Sequence, residues 1–189
     1  MLSLHFTPFP QLETERLLLK QIGEHDASAL FSLRSDKDVM KYLDRPPAQS
    51  IDEATALIKL ITDNVDKNEG LTWGIFPKAK PDLLHGTIGF WRIQKENYRA
   101  EIGYLLHPAL QGKGFMHEAM RVVLDYGFNE MHLHSVEANV NPSNLASIRL
   151  LERNGFVKEA YFKENYFYNG QFLDSAIYSL LTPSAQSFL

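Results

Sequence analysis

AEIGYLLHPALQGKGFMHEA, residues 100–119, changes character twice within a short span. EIGYLL is a run of β-formers, Pro108 breaks it, and Gln111-Gly112-Lys113-Gly114 leads into helical spacing. The pattern predicts a strand, a proline turn, a glycine-spaced loop and a helix over 114–128. The first N–H groups of a helix lack intrahelical partners, and the helix dipole adds partial positive charge beside them. An anion such as a phosphate suits that position. The usual phosphate motifs do not fit. A dinucleotide fingerprint needs a third glycine where His117 stands, and a P-loop needs Lys then Ser or Thr after its last glycine, where Phe115 stands. A plain strand-to-helix turn is the other reading of the same glycines.

Working outward, residues 71–76 and 83–94 are strand-like around a turn at 78–82, and 99–106 extends them as an antiparallel meander. Residues 12–22 read as one first strand centred on Arg16-Leu17-Leu18-Leu19-Lys20. Ala29, Leu30 and Leu33 mark a helix over 25–35 with Asp26 as its cap, and 39–47, which ends in Pro46-Pro47, is irregular. Residues 50–68 make the clearest helix. Ser50 and Glu53 form a capping box ahead of an apolar face of Ala54, Leu57, Ile58, Ile61 and Val65. After the central helix come a strand over 135–140 and a helix that Asn141 caps, with Pro142 at its first position. That helix ends near Arg153, before Gly155. Strands over 157–168 and 175–181 close around the Asn169-Gly170 turn. Gly103 in mid-strand predicts a bulge. The expected fold is α/β or α+β: one mixed sheet with helices on both faces, in a single domain over 1–189 with its core at about 12–181.

Composition bounds the function. The chain has 189 residues, 44% hydrophobic and 22% charged, which suits a globular protein. The net charge of −4 gives no general basic surface for nucleic acid. The absence of cysteine excludes disulfides, thiolate metal sites and a cysteine nucleophile. No apolar run approaches the roughly 20 residues of a membrane span, and MLSLHFTPFPQLETE does not read as a signal peptide. A cytoplasmic location is expected. His132 and His134 would share a strand face but have no third ligand, so no metal is expected.

The second telling stretch is VEANVNPSNLASIRLLERNGF, residues 136–156. Asn144 and Ser147 stand at i, i+3 near a helix start, where two polar groups can address one ligand or simply cap and solvate. Together with Q-x-x-G at 111–114, ETERLLL at 13–19, EIGYLL before the loop and the late Asn-Gly turn, this block resembles the GNAT N-acetyltransferases. It is most similar to their RimJ/RimL-like branch, which acetylates ribosomal-protein N-termini. The resemblance covers about residues 12–181. Met116 departs from the family's loop, which has Gly or Ala there.

The resemblance implies an acetyl-CoA-dependent acyltransferase with a splayed sheet of about seven strands. Acetyl-CoA is the implied cosubstrate, without a metal. Its pyrophosphate would rest on the backbone of Gln111, Gly112, Lys113, Gly114, Phe115, Met116 and His117. Its pantetheine arm would pair with Leu105, Leu106 and His107 and meet Asn144. At about 3.3 Å per residue, Glu101 lies roughly 13 Å before Leu105, where an amine would enter; it is the candidate base. Ser147 is the candidate donor to the leaving sulfur. The branch carries a glutamate in a late strand; Tyr166 stands at that position here and is a lesser catalytic candidate or a wall of the acceptor pocket. The implied acceptor is a primary amine, foremost the N-terminal α-amine of a protein such as a ribosomal protein. Alternatives are a small amine (polyamine, amino acid or aminoglycoside-like compound) and a non-catalytic acyl-CoA-binding module. No nucleic-acid or membrane partner is implied, and the chain is a monomer or homodimer.

Overall fold

A computed structural model describes residues 1–183. Eight strands form one sheet in the order β1-β2-β3-β4-β5-β6-β8-β7. They are β1 (Leu12–Glu13), β2 (Leu17–Lys20), β3 (Leu71–Pro77), β4 (Gly86–Gln94), β5 (Arg99–Leu106), β6 (Ser135–Val140), β7 (Val157–Tyr168) and β8 (Gln171–Leu181). Every neighbouring pair is antiparallel except β5 and β6. The α-helices among the described residues are α1 (Ala27–Ser35), α2 (Lys37–Met40), α3 (Ile51–Asp66), α4 (Phe115–Asn129) and α5 (Leu145–Arg153).

Side-chain alternation along the strands divides the apolar residues between the two faces. Trp73 and Ile75 of β3, Phe90 of β4 and Ile102 of β5 bury against Ala119 and Val123 of α4. Phe76 and Leu105 lie in the other core, with Leu30 and Leu33 of α1 and Ile58 of α3. Trp73 anchors the larger core. Its ring meets Phe9, Phe90 and Tyr126 edge-on, and its indole N–H donates to the Pro10 carbonyl at 2.6 Å.

The structure corrects several local expectations. Residues 12–22 do not form one strand: the chain turns back at Thr14–Arg16, and Leu12 pairs with Leu19, which gives eight strands. The Thr14 hydroxyl accepts from Leu17 N at 3.0 Å and fixes that turn. β4 starts at Gly86, because Leu84 turns into the smaller core, and β8 starts at Gln171, directly after the turn. Residues 37–40 form a helical turn because the Asp36 carboxylate accepts from the N–H groups of Asp38 and Val39. Asp26 stands at the N-cap position of α1 but makes no side-chain bond to that helix; its carboxylate accepts from Gly23 N across the helical turn at Glu24–Asp26. Ser50 accepts from Glu53 N, but Glu53 reaches Gln49 N, so the box closes one residue early. Asn144, not Asn141, caps α5, while Asn141 accepts from Ser143 N in the turn before it. The bulge lies in β4, not at Gly103. Trp91 pairs with Glu101 and Gln94 with Arg99, so one residue is extra, and Arg92 there has φ +47°.

β5 and β6 pair over three rungs only: Arg99 with Ser135, Ala100 with Val136, Glu101 with Glu137. Among the described residues β6 then continues on β8 alone, and the β6-facing edge of β5 is unpaired from Ile102 onward. That parting marks the candidate site.

Candidate active site

The His107 N–H donates to His85 O, which continues the β4–β5 ladder one residue past β5. In an antiparallel ladder the backbone groups of alternate residues point to the same neighbour. Those of Leu105 and His107 therefore face β4, and those of Tyr104 and Leu106 face the parted side. The Leu106 carbonyl takes a 2.9 Å bond from the Gln111 side chain. His107 caps the turn Pro108–Leu110 by accepting from Ala109 N at 3.1 Å.

Gly112 and Gly114 have φ +71° and +82°, a region L side chains rarely adopt, so the loop geometry needs glycine. Beyond them, α4 begins with the N–H groups of Phe115, Met116 and His117, which have no partner among the described residues. Lys113 folds back, its ammonium 2.8 Å from the Ala109 carbonyl. Met116 is buried in the core, so its bulk faces away from the loop and only its backbone N–H belongs to the helix mouth. The Nδ1 atom of His117 is buried without a partner among the described residues.

The ETER segment holds this loop from behind. Glu118, in the first turn of α4, accepts from the Thr14 hydroxyl, from Arg16 N at 2.9 Å and from Arg16 Nε at 2.6 Å. The Arg16 guanidinium also lies over the Phe115 ring and donates to Lys113 O at 3.1 Å. Burial works against the Glu118 charge, but the bonds from Thr14 and Arg16 outweigh it and hold the carboxyl below its usual range. Sequence reading took ETERLLL as part of a first strand and as a mark of resemblance, and gave its Glu-Thr-Glu-Arg no part in holding the loop.

Across the opening, Asn144 Oδ1 accepts from Ser147 N at 3.1 Å, which leaves its amide NH2 for a ligand. The Ser147 hydroxyl lies 2.6 Å from the Tyr104 hydroxyl and bridges α5 to β5. Burial pushes Tyr104 up to about 12, against the Ser147 bond, so the phenol keeps its proton at neutral pH. Tyr104 is a candidate site residue that sequence reading missed. Its only local signal was a tyrosine in a strand, which reads equally well as core.

Glu101 lies on the last rung before the strands part, with 6% of its surface exposed. Strand parity puts it on the face of Leu105, opposite to Tyr104. Its carboxylate accepts from Arg92 Nη1 at 3.1 Å. Burial raises its pKa, Arg92 pulls it down, and Glu137 adds to the rise; the net shift is upward. Tyr166 stands elsewhere, 45% exposed on the closing hairpin, and donates to Asp44 O at 2.9 Å. Near that bond lies a cleft of about 260 Å³, bordered by Asp44, Tyr42, Asn141, Ser143 and Gln171 among others.

Comparison with known proteins agrees with this architecture. Residues 16–157 match the acetyltransferase (GNAT) domain family. The chain is 37% identical over 175 residues to the "Uncharacterized N-acetyltransferase YoaA" of Bacillus subtilis, covering 93% of this chain and 98% of that one. It is 27% identical to the [ribosomal protein uS5]-alanine N-acetyltransferase of Escherichia coli, over 93% of both chains. The crystal structure of spermidine N-acetyltransferase from Vibrio cholerae, in complex with CoA and spermine, superposes with a TM-score of 0.78 at 27% identity. It covers 89% of this chain and 96% of that one. The chain belongs to the GNAT acetyltransferase family and is an acetyl-CoA-dependent N-acetyltransferase.

Proposed function

We propose that the protein acetylates the N-terminal α-amine of a polypeptide by direct attack within a ternary complex. The residues present fit an acyl-CoA. Free amides at the α4 mouth suit a pyrophosphate, and the unpaired edge of β5 suits an amide-bearing arm. Gln111 to His117, Leu106 and Asn144 would hold it; Leu105 and His107 would shape that edge. Bound there, acetyl-CoA supplies an activated carbonyl and a thiolate leaving group.

The observation that carries the reading is a buried carboxylate on the last rung of the parting strands. Glu101 takes a proton from the amine as the N–C bond forms. Ser147, backed by Tyr104, donates a hydrogen bond to the sulfur as the C–S bond breaks. The raised pKa of Glu101 brings it closer to the amine's needs than an exposed glutamate would be. Tyr166 holds the acceptor cleft rather than moving protons.

The cleft favours a peptide. Among the described residues its border carries neutral amides and hydroxyls from Asn141, Asn169, Gln171, Ser143 and the tyrosines, with Asp44 as the one carboxylate and Lys41 as the one cation. Such groups match peptide backbone, whereas a polycation calls for several carboxylates. A panel of peptides beginning with Ser, Ala or Asp, set against spermidine and free amino acids, tests this. Peptide turnover with a far higher kcat/KM supports the reading, and preference for spermidine replaces it with the small-amine alternative. Acetyl-CoA binding without turnover of any amine leaves a binding module. Glu101→Gln should lower kcat about a hundredfold or more with acetyl-CoA affinity unchanged.

A further inference from the structure

We propose that Glu137 is a positioning residue for the proton-accepting carboxylate: it tunes Glu101 from the neighbouring strand at the rung where the sheet opens. This rests on Glu101 being the proton acceptor. Glu101 and Glu137 are direct partners in the parallel β5–β6 pair, so both side chains leave the same face on strands about 4.8 Å apart. Two carboxylates at that spacing repel unless each is held, and each is held by a different arginine. Arg99, two residues back on β5, pairs with Glu137. Arg92 pairs with Glu101 at 3.1 Å, brought into reach by the β4 bulge.

The two pairs are not equivalent. Arg99 is partly covered, and its Nε is buried without an acceptor among the described residues. Arg92 is 63% exposed and lies over the Trp91 ring. Arg92 is therefore the partner that an entering amine can displace, whereas Glu137 and Arg99 stay. The charged groups acting on Glu101 are Arg92 from β4, Arg99 from its own strand and Glu137 from β6. With Arg92 moved aside, Glu137 makes Glu101 a stronger base at the moment an amine must lose a proton.

The test is the acid limb of the kcat–pH profile in the full chain, with acetyl-CoA affinity and circular dichroism as controls. Glu137→Gln should move that limb down by about one pH unit, because the like charge is gone. Glu137→Asp should restore most of it. Arg92→Ala should move it up. Should Glu137→Gln fail to fold with Arg99 unpaired, the double change Glu137→Gln with Arg99→Met removes both charges, and a smaller downward shift is expected. A limb that stays in place in the soluble Glu137 variant, while the rate falls uniformly, overturns the proposal. Glu101→Gln separates the two levels. If it keeps the wild-type acid limb, the catalytic reading of Glu101 fails. If it abolishes the limb while the Glu137 variants leave theirs unmoved, only the present proposal fails.

Discussion

Replacing Glu118 with Gln tests whether the start of the chain holds the loop proposed to bind acetyl-CoA. The carboxylate takes bonds from the Thr14 hydroxyl, Arg16 N, Arg16 Nε and Arg16 Nη2. An amide keeps one oxygen for Thr14 and Arg16 N but turns an NH2 toward the guanidinium. Two charge-assisted bonds are lost, each worth about 1.5–3 kcal/mol in a shielded site. The Arg16 side chain is 40% exposed, and solvent screening brings the expected net loss to about 2 kcal/mol. For a chain of this size that lowers Tm by about 4–8 °C at neutral pH. Because Arg16 also donates to Lys113 O, affinity for acetyl-CoA should fall with stability. The pH dependence carries the sign. The folded pKa of Glu118 is depressed, so its contribution is fully present above the unfolded value of about 4.3 and is lost as pH falls through the folded value. The gap between wild type and variant should therefore narrow in thermal melts taken from neutral pH into the acid range. An equal Tm gap at both ends would refute the charge argument, and unchanged acetyl-CoA affinity would refute the link to the loop.

Three other changes probe separate parts of the structure. Gly114→Ala forces a side chain to φ +82°, at a cost of about 1–2 kcal/mol, and calorimetry should show acetyl-CoA binding weakened about tenfold. Trp73→Phe leaves the Pro10 carbonyl without its donor and opens space in the main core; denaturant titration should show about 2–3 kcal/mol lost with acetyl-CoA affinity nearly intact. Tyr104→Phe and Ser147→Ala each remove one half of a single donor pair. Steady-state kinetics should therefore give the double variant little more loss in kcat than the worse single one, and a multiplicative loss would mean the hydroxyls act independently.

What the sequence disclosed was local. The β3–β4–β5 meander, the glycine loop and the amphipathic α4 each follow from periodicity and turn residues within a dozen positions. What it hid depends on distant partners. The turn that splits β1 from β2 is held from Glu118, which lies far along the chain. Tyr104 becomes a candidate site residue only because Ser147 reaches it from α5, and no spacing rule links the two. Met116 looked wrong because the family loop has a small residue there, but a helix residue can turn its side chain inward and still offer its N–H at the mouth. The choice between Asn141 and Asn144 as cap was undecidable locally, since both make Asx-type bonds and Pro142 suits a turn before the helix as well as a first helical position.

The placement of Glu101 and Tyr104 on one strand has a consequence for the chemistry. Acyl transfer to an amine needs a proton acceptor on the nucleophile's side and a donor on the leaving group's side. Residues three apart on a strand lie on opposite faces, about 10 Å apart along it. In most sheets a neighbouring strand would separate those faces completely. Here β6 departs after Glu101, so the strand edge between Glu101 and Tyr104 opens to both faces at once. In the proposed reaction a thioester lying along that edge meets Glu101 from one face and the Tyr104–Ser147 pair from the other. The parity of β5 then matters more than the identity of any spacer. One residue inserted between Glu101 and Tyr104 would bring both groups to the same face. The loss of turnover should then exceed that of either single substitution, while the α4 mouth, fixed by Arg16 and Glu118, still binds acetyl-CoA.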